Sequence, residues 1–100
     1  MGNSNLIFSI ILEITLENVI GSGRVQADGA LYSVEATYEL CIEQSLSDAD
    51  HLVTGHITTS DWMYVTTHQG QRLTLTLENG RGLRFSFVNQ LGEIRFLEWT

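Results

Sequence analysis

The stretch ALYSVEATYELCIEQ, residues 30–44, decides the fold class. Its even positions are Ala30, Tyr32, Val34, Ala36, Tyr38, Leu40 and Ile42, each apolar or tyrosine. Its odd positions are Leu31, Ser33, Glu35, Thr37, Glu39, Cys41 and Glu43, most of them polar. A period of two is the signature of a half-buried strand. A helix is the rival, because Glu35, Glu39 and Glu43 recur every four residues, but it would strand Ala36 and Leu40 on the wrong side. The strand reading predicts an all-β chain.

Toward the N-terminus the same period continues. Leu6, Phe8, Ile10, Leu12, Ile14 and Leu16 share one face of a first strand over 6–17, and Ile7, Ser9, Ile11, Glu13, Thr15 and Glu17 share the other. Two glycines in 18–23 predict a turn. A second strand follows over 22–27, and Asp28-Gly29 predicts a type I′ hairpin turn. Toward the C-terminus, SLSDAD (45–50) reads as a polar loop and 52–59 as a strand. Ser60-Asp61 reads as a turn and WMYVTT (62–67) as a short strand. Leu73, Leu75 and Leu77 alternate with Arg72, Thr74, Thr76 and Glu78. Asn79-Gly80 turns the chain, and Leu83, Phe85 and Phe87 alternate in the strand after it. A turn near 89–92 leads into a last strand over 93–99. The expectation is a single antiparallel meander of about eight strands, closed into a small β-barrel, with a sandwich as the alternative. All of 1–100 reads as one domain. The segments ITLEN (14–18) and LTLEN (75–79) echo one another and suggest two similar hairpins.

Charge narrows the functions. The net charge is −7, and all five basic residues are arginines. Five scattered arginines build no basic stripe, so direct binding to a nucleic-acid backbone is not expected. With no lysine there is no Schiff-base chemistry. Cys41 is the sole cysteine, which excludes an internal disulfide and suits a reducing compartment. The apolar run 6–12 is too short to span a bilayer and carries no preceding positive charge. No membrane association is expected, and the default location is the cytoplasm.

Catalytic and metal constellations fail on spacing. His51, His56 and His68 are the only imidazoles, and on one strand the first two would point to opposite faces. Asp48-x-Asp50 begins like a calcium loop but lacks the later ligands and glycine. Glu35 and Glu39, four apart on a strand, are roughly 13 Å apart, too far for a glycosidase pair. Cys41 lies in an apolar stretch beside Leu40 and Ile42, with Glu39 and Glu43 near, and carries no signature of an activated nucleophile. No catalytic residue, cofactor or metal is assigned, and an enzyme working through His56 or His68 with a nearby carboxylate is the least favoured reading.

The remaining signal is apolar bulk outside the core. If the first and last strands pair, Ile7, Ile11, Leu97 and Trp99 form one exterior patch, joined by Trp62 and Tyr64. Such patches mark interfaces. The expectation is a non-catalytic interaction module, self-associating as a homodimer or bound to a protein partner. The alternative is a lipocalin-like barrel holding a small apolar ligand, oriented inside by Tyr32 and Tyr38.

Overall fold

Residues Val34–Ser45 are a strand, as their period of two predicts, and they lie second from the edge of an antiparallel sheet. The computed structural model describes residues 14–45 and 51–100. These form β1 (Ile14–Ala27), β2 (Val34–Ser45), β3 (His51–Thr59), α1 (Trp62–Thr67), β4 (Leu73–Thr76), β5 (Gly82–Phe87) and β6 (Ile94–Trp99). The sheet order is β3-β2-β1-β4-β5-β6.

The all-β barrel reading fits, with corrections. Among the described residues there are six strands, not about eight, and the chain is not one meander. β1-β2-β3 and β4-β5-β6 are two three-stranded meanders joined where β1 pairs with β4 over Arg24↔Thr76 to Ala27↔Leu73. The two outer strands then approach each other. His56 bridges Glu93, and the Ile57 amide donates to the Gly92 carbonyl at 2.9 Å, so the barrel is nearly closed. Gly92 has φ +87, and a Cβ there would lie 2.3 Å from the Ile57 carbonyl oxygen. Only glycine satisfies both the left-handed backbone and this close approach.

The expected turn at 18–23 is absent. β1 runs unbroken through Gly21-Ser22-Gly23, paired residue for residue with β2 from Ile14↔Ser45 to Val25↔Val34. Continuous alternation therefore fixes the face of every β1 residue from the buried pair Val25 and Ala27. Val19 lies on their side, and Leu16 and Ile20 lie on the opposite one. The expectation that Leu16 faces the core is thereby reversed.

The segment 62–67 is a helix rather than a strand. Asp61 caps it, its Oδ1 accepting the Met63 amide at 3.0 Å. Four consecutive bulky residues carry no period of two, so nothing in them opposes one helical turn once a cap is supplied. Val65 is its buried residue, and His68 stacks on Tyr64 with ring centroids 4.0 Å apart. The Asp28-Gly29 turn is present, but Asp28 keeps a negative φ, so it is not type I′. Asn79-Gly80 also turns, as a type I turn closed by a left-handed glycine, with Gly80 N–H donating to the Leu77 carbonyl at 2.9 Å. The two echoing segments are not equivalent: the first lies within β1, and the second ends β4 at a turn.

The core is almost wholly apolar. Phe85, Phe87, Ile57, Leu73, Leu75, Leu83, Val25 and Val53 are fully buried. Phe85 and Phe87 meet edge to face at 5.1 Å. Among the described residues no helix is long and apolar enough to cross a membrane.

Candidate interaction edge

β4 leaves β1 early, and that departure creates the site. A Cβ on Gly23 would lie 2.1 Å from the Thr76 carbonyl oxygen, so the two backbones are in contact there. Beyond that point, residues of β1 from Ser22 back to Ile14 have β2 on one side and, among the described residues, no strand on the other. The main-chain orientation follows from the register. Asp28 N–H donates to the Arg72 carbonyl on the β4 side, at 3.1 Å. Alternate residues of a strand present their hydrogen-bonding groups to the same edge. Ser22, six residues back, does present its amide there, and the Glu78 carboxylate accepts it at 2.9 Å. The amides and carbonyls of Ile20, Asn18 and Leu16 open on the same edge, with no strand among the described residues to receive them.

The outer face beside this edge carries exposed aliphatic side chains among polar ones. Leu16 is 66% exposed and Ile20 74%; Leu52, on β3 in the same row as Leu16 through Glu43, is 55% exposed. Between them stand Glu39 and Glu43. At its barrel end the edge runs into a groove of about 290 Å³ lined by Ser22, Gly23, Gln26, Ser33, Thr76 and Glu78, among others. Arg24 borders it, donating from Nε to Ser33 Oγ at 2.6 Å and from Nη2 to the Ser33 carbonyl at 3.0 Å. A wider groove of about 620 Å³ crosses the outside of β1, β2 and β3, with Ser22, Thr37, Thr58 and Ser60 among its lining.

The residues expected from sequence do not gather. Ile7 and Ile11 lie outside the described residues. The described part of the first strand pairs with β2 and β4, not with β6, so the pairing that was to unite them with Leu97 and Trp99 is not the one that closes the barrel. Trp99 is half-buried beside Phe96, and the Arg81 guanidinium sits 3.7 Å above its ring. Leu97 is exposed at the bulge that shifts the β5–β6 register. Trp62 is 74% exposed on α1, and Tyr64, two residues on, is partly buried. α1 lies at the Ala27 end of the barrel, whereas Trp99 pairs with Leu83 near the opposite end.

The two tyrosines assigned to an interior ligand also separate. Tyr32 lies in the β1–β2 connection and is 81% exposed, against the expectation that it faces inward. Tyr38 is buried, and its hydroxyl accepts the Glu78 amide at 3.2 Å.

Among the imidazoles, His56 Nε2 lies 3.3 Å from Glu39 Oε2, with both side chains about half exposed on the open outer face. No cleft encloses them. His68 Nδ1 lies 2.9 Å from the Tyr64 carbonyl oxygen. No group of three or more potential ligands for a metal occurs among the described residues.

Sequence reading missed the edge because it broke β1 at Gly21-Ser22-Gly23. One signal was present: Val19, Val25 and Ala27 share a parity, with glycine at both intervening positions. No family model, no curated protein and no solved structure matches the chain.

Proposed function

We propose that this chain is a non-catalytic interaction module, and that it engages a protein partner through the open edge of β1 and the exposed aliphatic side chains of Leu16 and Ile20 on it. One observation carries the reading. Three successive outward-facing main-chain positions, at Leu16, Asn18 and Ile20, have no strand among the described residues on the edge away from β2, and two of them carry large exposed aliphatic side chains. Unpaired edges are templates for another chain, and proteins that must stay apart blunt them with lysine, proline or short strands. Here the chain holds neither lysine nor proline, and the strand is fourteen residues long. Strand addition takes its affinity from the main chain and its specificity from alternate side chains.

The test is site-specific photo-cross-linking in cells. A benzophenone amino acid at Ile20 is expected to capture a protein, while the same probe at Leu91, exposed in the β5–β6 connection, captures none. Equal capture at both positions, or none at Ile20, overturns the reading.

A further inference from the structure

Resting on that reading, we infer that the partner is a second copy of this chain, whose β1 adds antiparallel to β1 about a two-fold axis through Asn18. About Asn18 the edge has the same pattern in both directions, an exposed aliphatic side chain two residues away on either side, Leu16 and Ile20. A symmetric dimer requires a self-complementary surface, in which residue i meets j and j meets i. An antiparallel strand pair meets this only when outward-facing main-chain positions oppose one another. On β1 those positions are even-numbered, so the pair is centred on Asn18 or on one of its neighbours.

Charge selects among these centres. Centred on Glu17, the pair would set Glu17 against Glu17 of the second copy, and like charges directly opposite are destabilising. Centred on Val19, it would set Asn18 against the aliphatic Ile20 of the second copy. Centred on Asn18, Glu17 of each copy faces Val19 of the other, and Leu16 of each faces Ile20 of the other. The two Asn18 side chains face each other and can exchange amide hydrogen bonds. This register covers Leu16 and Ile20, the most exposed aliphatic residues of the described part of β1. It also gives the open amides and carbonyls of Leu16, Asn18 and Ile20 main-chain partners. Beyond Ile20, the Glu78 carboxylate already holds the next outward amide, that of Ser22, and marks where added strand pairing ends.

The experiment uses the full chain carrying Cys41→Ser, with single cysteines placed in turn at 16, 17, 18, 19 and 20. In a two-fold pair only the residue on the axis meets itself. Asn18→Cys is therefore expected to give a disulfide-linked dimer in mild oxidant, and its Cα separation of roughly 5.5 Å in a hydrogen-bonded pair suits the bond. Leu16→Cys and Ile20→Cys are expected to cross-link when mixed and much less when alone. A separate chain carrying Asn18→Pro loses an outward amide but no bond to β2. Its dimer dissociation constant, read by light scattering, is expected to rise roughly tenfold to a hundredfold. Circular dichroism on that variant checks that the barrel is intact, and Asn18→Lys, which keeps the amide but sets two positive charges face to face, gives a second reading.

A wild-type chain that stays monomeric at high micromolar concentration overturns the inference. So does a dimer indifferent to both Asn18 variants, or one that cross-links best through Glu17→Cys or Val19→Cys. If the probe at Ile20 captures only a different protein, the second copy is excluded while the interaction reading stands. If it captures nothing, both fail.

Discussion

The hydroxyl of Tyr38 accepts the main-chain amide of Glu78 at 3.2 Å although β1 lies between β2, which holds Tyr38, and β4, which Glu78 follows. The phenol reaches across at Gly21, where a Cβ would come within 2.5 Å of the Tyr38 oxygen. On the edge of β1 the Glu78 side chain returns to Ser22. The Leu77–Arg81 turn is thus tied to the first meander twice, by its main chain and by its carboxylate.

Removing the tyrosine oxygen leaves the Glu78 amide without its partner. Tyr38→Phe is expected to cost about 1–2 kcal/mol, from a lost hydrogen bond and a part-buried donor. In a domain this small each kcal/mol lowers Tm by roughly 4–8 °C. Scanning calorimetry checks it, and an unchanged Tm would mean the amide is equally well served by water.

Two glycines with positive φ make opposite uses of the missing Cβ. Gly29, at φ +79, has nothing within 4 Å of the added atom, so Gly29→Ala is expected to cost about 1 kcal/mol of backbone strain. Gly92→Ala adds a collision with the Ile57 carbonyl and displaces the β3–β6 seam. Its cost is expected to exceed that of Gly29→Ala by about 2 kcal/mol or more. Urea melts of the two variants give the comparison, and equal midpoints would show that the seam contributes little.

Burial pushes the Tyr64 phenol above its usual pKa, opposed in part by the Ala27 main chain, which the hydroxyl faces without reaching hydrogen-bond geometry. The folded chain therefore keeps this proton at a pH where the unfolded chain releases it. The associated stability is present below the unfolded pKa of about 10 and is lost as pH rises through the higher folded value. Tyr64→Phe is expected to be neutral or stabilising at pH 7, since it removes a buried hydroxyl with no partner. It is also expected to flatten the decline in stability above pH 10. Denaturant titrations at pH 8 and pH 11 read both effects, and a variant that loses stability at pH 7 contradicts this account.

Much of the fold was legible because one rule, a period of two, operates wherever a strand has a wet face and a dry face. It found β2, β4 and β5, whose Tyr38, Leu73, Leu75, Leu83, Phe85 and Phe87 are all buried as their parity predicts. The rule failed where tertiary contact chose the outcome. WMYVTT has no alternation to read, and a single aspartate cap decides for a helix. Gly21 and Gly23 look like a turn, yet each glycine makes room within a strand, one for the Tyr38 phenol and one for the Thr76 carbonyl. That misreading reversed the face of Leu16. Tyr32 failed for a related reason: its parity matched Val34, but the strand begins only at Val34. The expected patch joined residues through a first-to-last strand pairing, and sequence alone holds no term for which strands lie at the edges.

The order of the strands also governs how the chain finds its shape. Within each meander, neighbours in the sheet are neighbours along the chain. The joint between β1 and β4 instead draws together residues roughly fifty positions apart. Closing a loop of that length costs about 3.5 kcal/mol in chain entropy before any contact repays it. Each meander is a local event, and the joint is a long-range one. Along the chain β1-β2-β3 precede β4-β5-β6, and until β4 pairs with β1 the β1 edge away from β2 is open over Arg24 to Ala27 as well. Until then that segment continues the edge that no strand among the described residues covers from Ser22 back to Ile14.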